Sequence, residues 1–98
     1  MAHCPYDKLD DLTEVLEAVR LWDKVKEKSP AVFYVQSTPF LHFHLKDGRR
    51  WADVRAGKDW GPSLDLPLGA KRLARTAFLR EVRRCYDLTT APKAKRKS

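Results

Sequence analysis

Apolar and polar positions alternate most clearly between Phe40 and Arg55, in two runs on either side of Asp47-Gly48. A period of two is that of a β-strand. Asp-Gly suits a two-residue hairpin loop because both residues tolerate positive φ. With that turn, Lys46 pairs with Arg49, and the ladder runs outward through 45 with 50 and 44 with 51. One face then carries Leu41, Phe43, Leu45, Ala52 and Val54, with Arg50 at the turn end, and reads as a core face. The other carries Phe40, His42, His44, Trp51, Asp53 and Arg55, with His42 opposite Asp53 and His44 opposite Trp51.

The pattern changes on both sides of the hairpin. Leu9, Leu12, Val15, Leu16, Val19 and Trp22 recur at three- and four-residue spacing, which predicts a helix. Asp7 is the expected N-cap, Lys24, Lys26 and Lys28 suit the C-terminal end of the dipole, and Ser29-Pro30 is the expected stop. Residues 31–36 are β-branched and aromatic and read as a strand. A Ser37-Thr38 turn would put Val32 and Tyr34 on the core face and Phe33 and Val35 on the histidine face. Two glycines and two prolines make residues 56–67 a loop, with a short edge strand at 63–66 and Trp60 in its middle. Residues 70–86 predict a second helix whose apolar stripe is Leu73, Ala77, Phe78, Val82 and Cys85. From Leu88 onward the chain has little to bury and is expected to be disordered.

The expected architecture is α+β, in the order α-β-β-β-α. An antiparallel three- to four-stranded sheet would carry two helices packed on one face. The chain divides into an N-terminal arm (1–6), a single domain (7–87) and a basic tail (88–98).

Composition narrows the setting. The chain has 98 residues, enough for one core, and no apolar run near the roughly 20 residues that span a bilayer. Its first residues lack a secretory pattern, and Cys4 and Cys85 fit no CxxC spacing. A cytoplasmic protein with reduced thiols and no membrane partner is the expectation. The net charge of +7 is uneven: residues 1–45 sum to −2 and residues 46–98 to +9. Lys93, Lys95, Arg96 and Lys97 crowd the last six residues. A basic tail on a mildly basic domain suits polyanions.

The candidate chemistry gathers on the second hairpin face. Phe40, His42, His44, Trp51, Asp53, Arg55 and the loop residue Trp60 form a candidate ligand-binding set. Aromatic rings beside Lys46, Arg49 and Arg55 offer stacking and phosphate contacts to an anionic ligand or a single-stranded nucleic acid. No RNP1, KH or zinc-knuckle signature accompanies them. The alternative is a divalent metal held by His42, His44 and Asp53, since two imidazoles and a carboxylate are a recognised donor set. A third reading is a small enzyme in which Asp53 orients His42 as a general base. Its nucleophile is unidentified: Ser37, Thr38 and Ser63 lie in loops without a motif. An apolar sheet face would also suit homodimerisation or another protein contact.

Overall fold

A computed structural model describes residues 3–91. A 3₁₀ segment, Tyr6–Leu12, runs into helix α1, Thr13–Arg20. Six strands follow: β1 Val25–Ser29, β2 Val32–Val35, β3 Thr38–Lys46, β4 Arg49–Ala56, β5 Asp59–Trp60 and β6 Leu64–Asp65. Helix α2, Arg72–Thr90, closes the domain. The fold is thus mixed α+β, with an antiparallel sheet in the order β1-β2-β3-β4-β5 and β6 also on β4. No helix among the described residues is long and apolar enough to cross a membrane.

The central hairpin has the register that its turn dictates. Asp47 and Gly48 both take positive φ (52° and 78°), Lys46 faces Arg49, and the ladder runs unbroken to Leu41 opposite Val54. Leu41, Phe43, Ala52 and Val54 are buried. They form one cluster with Leu9, Leu12, Val15, Leu16 and Val19 of the N-terminal helical segments and with Phe78, Val82, Cys85 and Tyr86 of α2. Both cysteines are free and buried.

The first helix is much shorter than its apolar spacing predicts. Pro5, not Asp7, stands at the N-cap of the 3₁₀ segment, with no side-chain capping bond. Lys24 takes positive φ (70°) after Arg20, and the chain returns as β1 against β2. Lys24, Lys26 and Lys28 are therefore not helix-terminal residues. Trp22 packs in the turn against Tyr86, with ring centroids 5.0 Å apart.

The turn between β2 and β3 also departs from expectation, with larger consequences. Gln36 and Ser37 form it, both at positive φ (51° and 70°), and Val35 faces Thr38. Moving a two-residue turn by one position shifts the pairing by two residues and leaves the faces as they were, so the exchange of faces in β2 comes from a bulge one step further on. Phe33 and Val35 are accordingly buried in the core, while Val32 and Tyr34 are only half-buried. The register then shifts between Phe33 opposite Leu41 and Tyr34 opposite Pro39. That leaves Phe40 as the extra, bulged residue, and a bulge breaks the alternation of faces. Phe40 enters the core beside Leu41, edge-on to Tyr86 at 6.1 Å. It does not belong to the histidine face.

Helix α2 buries a narrower stripe than expected. Leu73 is 85% exposed and Ala77 is exposed too. At 3.6 residues per turn, Leu73 lies about 140° around the helix from Phe78, away from the sheet. The helix also continues past Tyr86 to Thr90. The Thr89 hydroxyl accepts the Gly57 N–H at 3.0 Å and lies within hydrogen-bond reach of the Arg55 carbonyl. Leu88–Thr90 are thus helical, contrary to the expected disorder from Leu88. The remainder of the expected basic tail, residues 92–98, lies outside the described residues.

One buried charge ties these elements together. Arg50, 1% exposed, sits at the turn end of the core face. Its guanidinium meets both Asp11 carboxylate oxygens at 2.7 Å and donates to the carbonyls of Lys8, Leu66 and Pro67. Asp11 also accepts the Ala70 N–H at 2.8 Å. The Arg50 guanidinium beside Asp11 holds that carboxyl below its ordinary range, against the opposing effect of burial. A bidentate pair with every remaining donor directed to a carbonyl is what a buried guanidinium requires.

Candidate functional site

The outer face of the β3–β4 hairpin brings His42, His44, Trp51, Asp53 and Arg55 together, all half-buried. Trp60 joins them from β5. Gly57, at φ 85°, and Lys58 form a second two-residue turn, which sets Trp60 opposite Arg55 in the β4–β5 register. Directly opposed residues share a face, so Trp60 lies on the histidine side and is 42% exposed. Phe40 is the one member of the sequence-derived set that the fold takes elsewhere.

The rings form a chain. Trp60 stands edge-on to His42 at 4.9 Å, His42 lies 5.5 Å from His44, and His44 stacks on Trp51 at 5.1 Å and 20°. A guanidinium covers each end, Arg55 over Trp60 at 4.7 Å and Arg49 over Trp51 at 4.8 Å. Such cation–π contacts are worth about 0.5–1 kcal/mol where water reaches them. Arg55 is also a structural clamp, donating to the carbonyls of Pro39 and Lys58 at 2.6 Å each. Arg49 is more loosely held, paired with Asp65 while both side chains remain mostly exposed.

The polar partners cross the ladder diagonally. His42 is opposite Asp53 in register, yet Asp53 Oδ2 lies 2.9 Å from His44 Nε2, and the Ser63 hydroxyl donates to Asp53 Oδ1 at 2.8 Å. His42 packs on Trp60 instead of hydrogen-bonding to Asp53. His44 Nε2 is buried and, despite the short contact, has no well-aligned hydrogen bond. Burial pushes the His42 imidazole below its ordinary pKa. The neighbouring His44 adds to this, Asp53 opposes it, and His3 contributes a smaller lowering.

His3 reaches the site because the N-terminal arm folds back. It forms an isolated antiparallel bridge with His44, and the Cys4 N–H donates to the Phe43 carbonyl at 3.1 Å. Nothing periodic in the sequence marks this arm. Its only signal is Cys4, a small apolar residue that the core takes up at 2% exposure.

No family model, curated protein or solved structure matches this chain. Among the described residues, no three His, Cys, Asp or Glu side chains gather closely enough to hold a metal ion. The arrangement offers an exposed tryptophan, Trp60, and a half-buried one, Trp51, with two imidazoles between them, one oriented carboxylate and cationic ends. It can stack planar groups and neutralise negative charge.

Proposed function

We propose that the protein is a small binding domain that takes single-stranded nucleic acid on the open face of its sheet. The observation that carries this reading is the ring chain Trp60–His42–His44–Trp51 with Arg55 and Arg49 at its ends. Bases stack on aromatic rings whatever their identity, and arginines beside those rings meet the phosphates. Arg49 covers Trp51 and, with its side chain 61% exposed, is free of the backbone clamp that holds Arg55. A base entering over Trp51 displaces that guanidinium towards the backbone. Lys46, directly across from Arg49 in the ladder, adds a second phosphate contact. The basic residues at 93–97 supply a sequence-independent term that weakens as salt rises.

The test is a tryptophan-fluorescence titration of the full chain with a short single-stranded oligonucleotide at several salt concentrations. Base–ring stacking is worth about 1–3 kcal/mol per base. Trp51→Ala is therefore expected to weaken binding by roughly 5- to 150-fold with an unchanged salt slope. Neutralising Lys93, Lys95, Arg96 and Lys97 should flatten the slope while leaving saturable binding. Binding that ignores Trp51→Ala and Trp60→Ala, yet disappears with the tail charges, would refute the reading.

A further inference from the structure

We propose that His42 and His44 act as a general base and a general acid that cleave a ribose phosphodiester of the bound strand, with Asp53 as the positioning residue behind His44. This rests on the single-strand reading above. The order of rings along the face is the first support. If two successive bases stack on Trp60 and Trp51, the phosphodiester joining them crosses the two imidazoles that lie between those rings, 5.5 Å apart at their centroids. The two histidines also have different surroundings. His44 has a carboxylate oxygen 2.9 Å from Nε2, and that carboxylate is itself fixed by Ser63. His42 has no carboxylate partner among the described residues and stands against Trp60. Neighbouring titratable groups held in unlike environments are the pattern of an acid and a base working together.

The substrate class follows from the missing nucleophile. The Ser63 hydroxyl is engaged by Asp53, and both cysteines are buried in the core on the opposite side of the sheet. Among the described residues no side chain beside the imidazoles is free to attack phosphorus, so the attacking group comes from the substrate. A ribose 2′-hydroxyl adjoins the phosphate it attacks. In the step, His42 removes the 2′-hydroxyl proton and the 2′-oxygen bonds to phosphorus. The bond from phosphorus to O5′ breaks, and His44, whose Nε2 is buried against Asp53, donates a proton from Nδ1 to that leaving oxygen. The products are a 2′,3′-cyclic phosphate and a 5′-hydroxyl, with no water consumed and no redox change. Protons exchanged with solvent reset the pair.

The charges around His42 suit the role of base. Its burial, His44 and His3 disfavour the protonated ring, Asp53 opposes them, and Arg55 on Trp60 adds a further positive charge nearby. A neutral imidazole near neutral pH is the form that accepts a proton.

The test uses the full chain and two strands of one sequence, one all-deoxy and one with a single ribonucleotide. Binding is read on the all-deoxy strand and cleavage on the other, at saturating protein in single turnover. The expected result is a cut 3′ of the ribonucleotide, a cyclic phosphate end and a bell-shaped pH–rate profile. His42→Ala and His44→Ala should each lower the rate by about 10²–10⁴-fold. Free imidazole should restore part of the His42→Ala loss. His42→Gln serves if the alanine variant fails to fold. Asp53→Asn should displace the pH–rate profile, which a merely structural role would not do. Binding of the all-deoxy strand with no cut at the ribonucleotide overturns this inference and leaves the binding reading standing. Cleavage that persists in the His42→Ala/His44→Ala double variant also overturns it. Failure of both strands to bind overturns the binding reading itself.

Discussion

Removing the carboxylate of Asp11 tests what holds the two ends of the fold together. Arg50 is 1% exposed, and its only opposite charge among the described residues is Asp11, at 2.7 Å from both terminal nitrogens. Breaking a buried pair by deleting one partner typically costs about 3–5 kcal/mol, because the remaining charge stays buried. Three backbone carbonyls still accept from Arg50 in Asp11→Ala, which argues for the lower end, about 3 kcal/mol. The Ala70 N–H loses its acceptor as well. For a domain of this size, about 3 kcal/mol corresponds to a fall in Tm of roughly 12–24 °C. Urea unfolding followed by tryptophan fluorescence at neutral pH, with calorimetry for Tm, measures it. Replacing both residues, as Asp11→Leu with Arg50→Met, would not be the neutral exchange that some buried pairs allow. It strands the carbonyls of Lys8, Leu66 and Pro67 and the Ala70 N–H, at about 1–3 kcal/mol for each group left without a partner. The double variant should therefore be no more stable than Asp11→Ala. A loss below about 1 kcal/mol in Asp11→Ala would refute the argument, since the guanidinium would then be satisfied by carbonyls and water alone.

Acid should weaken the fold through two carboxylates. The Arg50 guanidinium lowers the pKa of Asp11, and the Arg20 guanidinium lowers that of Glu27, which also accepts the Ala31 N–H. A carboxyl with a depressed folded pKa contributes its stability above the unfolded value and loses it as pH falls through the folded one. Urea midpoints should thus decline below about pH 5, and less steeply in Glu27→Gln; an equal decline in that variant would count against the pairing. Lys24→Gly should stabilise the fold by about 0.5–1 kcal/mol, because glycine adopts positive φ without the steric cost that lysine bears there. An unchanged or lower urea midpoint would contradict that. Gly57→Ala should cost about 1 kcal/mol from its φ of 85°, with no clash since open space surrounds the added methyl. A loss of several kcal/mol would mean that the turn also carries packing.

The hairpin is legible because one dipeptide fixes its register and hence the faces of the twelve paired residues from Leu41 to Val54. Where no glycine marks a turn, the sequence misleads. Lys24, Gln36 and Ser37 all take positive φ without being glycine. As a result, the β1 segment reads as the tail of a helix, and the turn into β3 reads one residue late. Phe40 shows a further limit: the bulge that exchanges the faces of β2 adds a residue to β3 without any local compositional mark. Alternation alone places Arg50 on the core face. A charge in that position implies a buried partner, but spacing cannot point to Asp11, 39 residues away.

The candidate face was legible as a set of residues, while its internal pairing was not, and the difference has a physical origin. Alternation assigns a residue to a face whatever its side chain does. Pairing depends on side-chain length and on what neighbouring strands bring in. In a ladder, diagonal neighbours are within reach of long or aromatic side chains. The stacking of His44 on Trp51 leaves its Nε2 beside Asp53, one diagonal step away. Trp60 then takes the place beside His42 that Asp53 would have filled. That exchange depends on the Gly57-Lys58 turn, which returns the chain opposite Arg55. The turn is in turn fixed by Thr89 at the end of α2 and by Arg55 bonded to the Lys58 carbonyl. The last turn of a helix packed on the core side thereby positions a ring on the opposite face. The unlike environments of the two histidines follow from that connection, and both of the proposals made for this face depend on it.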